Sequence, residues 1–122
     1  MLFTHYEFSL ILLVIASIYQ ICYTTYCYIK RRNAFKLLDK YKVWIEHYYY
    51  PDKSPAQLRS AAEKEESWRT LIHVYGMIER IQNEKVWFND RKLNRWIGYI
   101  QCILLLNGVV NKQDLRKDSK DL

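Results

Sequence analysis

The residues best suited to chemistry are carboxylates, histidines, cysteines and two basic groups. Glu63, Glu65, Glu66, Glu79 and Glu84 fall on one predicted helix among lysines and arginines. Paired carboxylates can serve as general acid and base, but this spacing is that of a salt-bridged, solvated helix face. His73 stands beside Ile72 near an apolar face and reads as a structural, hydrogen-bonded histidine. His5, His47 and His73 are nowhere at metal-ligand spacing, and C-x-x-C is missing. Phosphate loops, dinucleotide fingerprints, zinc-protease helices and nucleophile elbows are missing too. The expectation is a non-enzyme with no metal and no cofactor. Cys22, Cys27 and Cys102 are odd in number, with two inside an apolar segment, which does not suit a disulfide framework. A reduced compartment for the part holding Cys102 follows.

The basic groups carry more information. The net charge is +6, which points to an anionic membrane surface or nucleic acid as a partner. Lys30, Arg31, Arg32, Lys36, Lys40 and Lys42 form the first group. Beside a membrane helix such residues attract anionic headgroups at about 1 kcal/mol each. Arg91, Lys92 and Arg95 form the second, with Trp87, Trp96 and Tyr99 nearby. Basic side chains interleaved with aromatics suit nucleic acid, although the binding signature of a known nucleic-acid module is lacking.

The element that positions the first group is residues 8 to 29, FSLILLVIASIYQICYTTYCYI, without a charge in 22 residues. As a helix it rises roughly 33 Å, against a hydrocarbon core of about 30 Å. Its second half, from Tyr19, holds Gln20, Thr24, Thr25 and four tyrosines. Hydroxyls bond back to the preceding turn, and tyrosines suit the interfacial belt. A cleaved signal peptide fits less well, because the start MLFTHYEF has no Lys or Arg and no A-x-A follows. An amphipathic surface helix lacks its charged face. A buried helix of a soluble protein is the remaining alternative. Glu7 is the one charged side chain before the segment, whereas the first basic group follows it. Lys and Arg collect on the cytoplasmic side, so the N-terminus is expected outside and the remainder in the cytoplasm of a bacterial inner membrane.

The rest reads as helices, since 3 Gly and 2 Pro leave few breakers. Ala34, Leu37, Leu38, Tyr41, Ile45 and Tyr48 share one helix face, with Lys36, Lys40 and Glu46 pointing elsewhere. Pro51 ends that helix at Tyr50. Ser54-Pro55 starts the next, expected to run to about residue 86 with Leu58, Ala61, Ala62, Trp68, Leu71, Ile72, Tyr75, Ile78 and Ile81 inward. Gly76 costs it about 1 kcal/mol relative to Ala, and a close helix–helix contact is one reason to keep it. Asn89 or Asp90 caps a third helix, striped by Leu93, Trp96, Ile97, Ile100, Ile103, Leu104 and Asn107. Gly108 supplies its left-handed end. CILLLNGVV is too short for a second span. Asn111 with Asp114 caps a short turn of helix, and RKDSKDL reads as a frayed tail. The fold class is all-α: a transmembrane helix, then a small three- to four-helix cytoplasmic domain. Its segments are an anchor at 1–29, a basic juxtamembrane helix at 30–50, a helical hairpin domain at 51–110, and a short helix with charged tail at 111–122.

Residues 91–116 read RKLNRWIGYIQCILLLNGVVNKQDLR. Arg95-Trp96-Ile97-Gly98-Tyr99-Ile100-Gln101, with Gly108, Asp114 and Arg116, resembles a pattern of small tailed-bacteriophage proteins; Cys102 stands where that pattern has Gly. The resemblance covers about a fifth of the chain. It implies a phage origin and an α-helical C-terminal module, and it carries no activity with it. Gly98 lies opposite the core stripe, so Arg95, Gly98, Tyr99, Gln101 and Cys102 form a candidate partner-contact patch. The expected function is a single-span membrane protein whose cytoplasmic domain binds or modulates another protein. Its partners are anionic lipid, an unidentified protein and, through self-association, a second copy. The alternative is a soluble or peripheral helical protein binding nucleic acid.

Overall fold

The first helix begins where Thr4 and Glu7 cap each other: the Glu7 amide donates to Thr4 Oγ1 at 3.1 Å and the Thr4 amide to Glu7 Oε2 at 3.2 Å. From there α1 (His5–Trp44) runs 40 residues unbroken and passes into a π-helical turn, Ile45–Tyr49. Tyr50 leaves helical geometry at φ −136°, as expected for a residue before proline. The computed structural model describes residues 4–120 and Leu122. Met1, Leu2 and Phe3 of the expected anchor and Asp121 of the expected tail lie outside the described residues.

The two halves of α1 meet different surroundings. Every described residue as far as Tyr26 is exposed. Ala34, Leu37, Leu38, Tyr41 and Ile45 are buried, forming the seam on which the rest of the chain packs. Tyr48, expected on that face, is exposed, because the π turn rotates the helix out of its register. In the apolar half, Ser9 and Ser17 donate to the carbonyls of His5 and Leu13.

The expected helix from 55 to about 86 is two helices. Ser54 caps α2 (Pro55–Lys64), with Gln57 completing the capping box. Glu65 is extended, and Thr70 caps α3 (Leu71–Asn83) by accepting from the His73 amide at 3.2 Å. The physical reason lies in residues 63–67, Glu-Lys-Glu-Glu-Ser, which offer no apolar group to bury. Folding back lets α2 lie antiparallel against α3. At the crossing, a Cβ on Gly76 would stand 2.9 Å from Ala62 Cβ. Gly76 is thus kept by the close approach of two helices. Trp68, expected inward, lies in the intervening loop and is half exposed.

A 3-10 turn, Lys85–Trp87, leads to α4 (Asp90–Leu106), capped by Asn89, whose Oδ1 accepts from the Lys92 amide at 2.8 Å. Gly108 has φ +74°. The Val109 and Gly108 amides bond to the Leu104 and Leu105 carbonyls, satisfying the last turn. Asn111 and Asp114 cap α5 (Lys112–Ser119) reciprocally. The expected frayed tail is therefore helical through Ser119, with Asp118 buried. The short helix expected after Asn111 is present, and its extension into the tail was hidden from pattern reading because the buried group is a carboxylate. The fold is all-helical, with no strand among the described residues. Its core joins α1 from Ala34 onward to Leu58 of α2, Val74, Tyr75, Ile78 and Ile81 of α3, and the Leu93–Leu104 stripe of α4. Each such side chain contributes about 1.5–3 kcal/mol on burial.

Candidate functional site

The first basic group mostly faces the protein. Lys30 donates to the Leu122 carbonyl at 2.6 Å. Arg31 donates to the Lys85 carbonyl at 2.7 Å, pairs with Asp90 at 3.2 Å and lies against the Phe35 ring. Lys40, expected to point outward, folds back to Asp118 at 2.8 Å and over the Trp44 ring. Lys42 pairs with Glu79 and donates to Gln82 at 3.2 Å. Arg32 and Lys36 are exposed. Three of the six charges thus dock other helices onto α1, and Lys30 holds Leu122 beyond the last helix.

Two tyrosine–carboxylate contacts lie behind this ring, and sequence reasoning missed both. Tyr41 is fully buried; its hydroxyl donates to Asp118 at 2.8 Å and accepts from Gln101 at 3.2 Å. Burial raises its pKa well above the tyrosine range; the Gln101 bond opposes this and the Asp118 contact adds to it. Tyr75 donates to Glu46 at 2.6 Å, and burial, then this carboxylate, raises its pKa likewise. Glu79 is a second buried carboxylate, with Asp118. Its Oε1 faces Lys42, and its Oε2 meets Arg59 Nε at 3.2 Å. Burial pushes the carboxyl pKa up, but Lys42 and Arg59 outweigh it and hold the group below the usual carboxylate range. These contacts pair the buried groups with one another, Glu79 Oε1 through its ion pair with Lys42 and without a hydrogen bond.

Two grooves lie between the helices. The larger, about 870 Å³, lies along α3 between α2 and α4. Its floor is Gly76, Met77 and Trp96, and its rim includes Arg59, His73, Arg80, Arg95 and Tyr99. Arg80 is tied to Glu84 at 3.0 Å, and Tyr99 donates to the Trp68 carbonyl at 2.7 Å, closing the α2–α3 loop over one end. The smaller groove, about 710 Å³, lies between α4 and α5 and is lined by Gly98, Gln101, Cys102, Leu105, Leu115 and Arg116 among others.

The candidate contact patch is therefore divided. Arg95 and Tyr99 face the larger groove, whereas Gly98, Gln101 and Cys102 face the smaller. Gly98 is open: a Cβ there would meet nothing within 4 Å. Of the second basic group, Arg91 is exposed and Lys92 lies over the Phe88 and Trp96 rings, so Trp96 serves the core as well as the groove. Among the described residues there is no group of three or more His, Cys, Asp or Glu placed to hold a metal ion. No family model, curated protein or solved structure matches the chain.

Proposed function

We propose that this is a non-enzymatic, single-span membrane protein whose cytoplasmic helical domain binds or modulates another protein at a bacterial inner membrane. The observation that carries the reading is the state of α1. It is the one helix among the described residues long and apolar enough to cross a membrane, and its most apolar stretch is wholly unburied. The core helix of a soluble protein buries such a stretch. Here 15 large apolar and aromatic residues from Tyr6 to Ile29 stand exposed. At about 25 cal/mol per Å², an apolar surface of that extent is costly in water and favourable in hydrocarbon.

Orientation follows from charge. Glu7 stands before the span, and Lys30, Arg31 and Arg32 follow it directly, which favours an outside N-terminus. The groove of α2, α3 and α4 is the partner surface we assign, because it joins an apolar floor to a rim of arginines and aromatics. The phage origin rests on the resemblance of residues 91–116. Nucleic-acid binding is the less favoured reading, since Lys92 of the second basic group lies over the Phe88 and Trp96 rings, and Trp96 and Tyr99 pack against the core.

Carbonate extraction of membranes from bacteria expressing the chain with a C-terminal reporter active only in the cytoplasm tests the placement. Retention in the pellet with an active reporter is the expected result. Release into the supernatant would overturn it. Photo-crosslinking from Arg95 in those membranes then identifies the protein partner.

A further inference from the structure

The turn between α3 and α4 exposes two large apolar side chains together. Val86 is 95 % exposed and Trp87 is 76 % exposed. The base of the turn is fixed: Phe88 is buried, packed edge-on against Trp96 with ring centroids 4.8 Å apart. Val86 and Trp87 are therefore held outward by a rooted turn.

Its position is set by Arg31. That guanidinium donates to the Lys85 carbonyl at 2.7 Å and pairs with Asp90 at 3.2 Å, so it grips both ends of the turn. Arg31 stands two residues after Ile29, the last of the uncharged segment, or roughly 3 Å of helical rise. Helical side chains lean toward their N-terminus, which here is toward the bilayer. Since α1 is unbroken from His5 to Trp44, the turn cannot leave that level unless the helix breaks. Lys85, Arg91 and Lys92 are the basic residues nearest the apolar pair in sequence, with Lys85 over the Phe35 ring and Lys92 over the Phe88 and Trp96 rings.

We propose that the Val86–Trp87 turn is a second membrane contact, entering the headgroup region of an anionic bilayer beside the exit of α1. The proposal rests on α1 spanning the membrane. Tryptophan suits this depth because its ring is apolar while its N–H bonds to the wet side. Two contact points set the domain's rotation about α1, and so which way the large groove faces.

The test uses the full chain, with Cys22, Cys27 and Cys102 replaced by Ser, in equimolar phosphatidylcholine–phosphatidylglycerol vesicles. An environment-sensitive fluorophore is attached at Ser17→Cys, Val86→Cys or Asp52→Cys in turn. The expected result is quenching at position 17 by lipid spin-labelled in mid-chain. The label at 86 should show blue-shifted emission and quenching by lipid spin-labelled in the headgroup, and that at 52 neither. Quenching at 17 with a solvent-like signal at 86 would overturn the proposal and leave the span standing. No quenching at 17 would overturn the span and the proposal together.

Discussion

The phenol of Tyr41, in the last turn of α1, donates a 2.8 Å hydrogen bond to Oδ2 of Asp118, 77 residues away on α5. Lys40 meets the other oxygen of the same carboxylate at 2.8 Å. These bonds tie the last helix to the first and close the domain around Gln101 of α4.

Asp118→Ala removes the acceptor and leaves a buried phenol with Gln101 alone. A buried group left without its partner costs about 1–3 kcal/mol. Thermal unfolding of the detergent-solubilised chain should show that loss, with early proteolytic cleavage after Asn111. Asp118→Asn keeps an acceptor for Tyr41 and gives up the half-exposed Lys40 pair, so its loss should be under about 1 kcal/mol. Equal losses in the two variants would show that the Tyr41 bond is not the tie.

Alkaline pH should loosen the same core. Tyr41 and Tyr75 have pKa values raised in the folded state. Folding therefore favours their protonated forms, and that stability is present below the ordinary tyrosine value of about 10 and lost as pH rises past it. Melting temperature followed from pH 8 to 11 should fall, and Tyr41→Phe with Tyr75→Phe should flatten the fall while lowering stability at neutral pH.

Glu79 gives the opposite sign. Its folded pKa is lowered by Lys42 and Arg59 against the effect of burial, so its stabilisation is present above the ordinary glutamate value of about 4.3 and lost as pH falls through the folded value. Glu79→Gln should cost about 1–3 kcal/mol at neutral pH, because Lys42 is left with little solvent. Denaturant titrations of the two proteins should converge in acid.

Gly76 and Gly98 should respond oppositely to alanine. At Gly76 the new methyl meets Ala62 Cβ at 2.9 Å; overpacking of about 1–3 kcal/mol exceeds the helix-propensity gain of about 1 kcal/mol. The net loss should be reversed in part by Ala62→Gly. At Gly98 the methyl meets nothing, so Gly98→Ala should stabilise by about 0.5–1 kcal/mol. A paired melting experiment on both variants decides between crowding and propensity.

Local signals carried the ends of the helices well. Ser54, Asn89 and Asn111 cap as their side chains dictate, Pro51 ends the first helix, and Gly108 takes the left-handed conformation. These are short-range effects, fixed by a few neighbouring residues and so readable in order along the chain. The uncharged stretch 8–29 likewise fixed a long apolar helix, because length and composition suffice for that.

What the residues face was decided by tertiary structure. The charged run 63–67 looked like a solvated helix face; Glu63 and Lys64 end α2, and the chain turns back from Glu65 so that Ala62 packs on Gly76. Lys40, Lys42 and Asp118 looked like surface charge and are structural ties. Their partners lie 78 and 37 residues off in sequence, and a periodicity of three to four residues says nothing at that range. The contact patch was split for the same reason: residues adjacent along α4 project to opposite sides of a helix, and which groove each enters depends on where α3 and α5 lie.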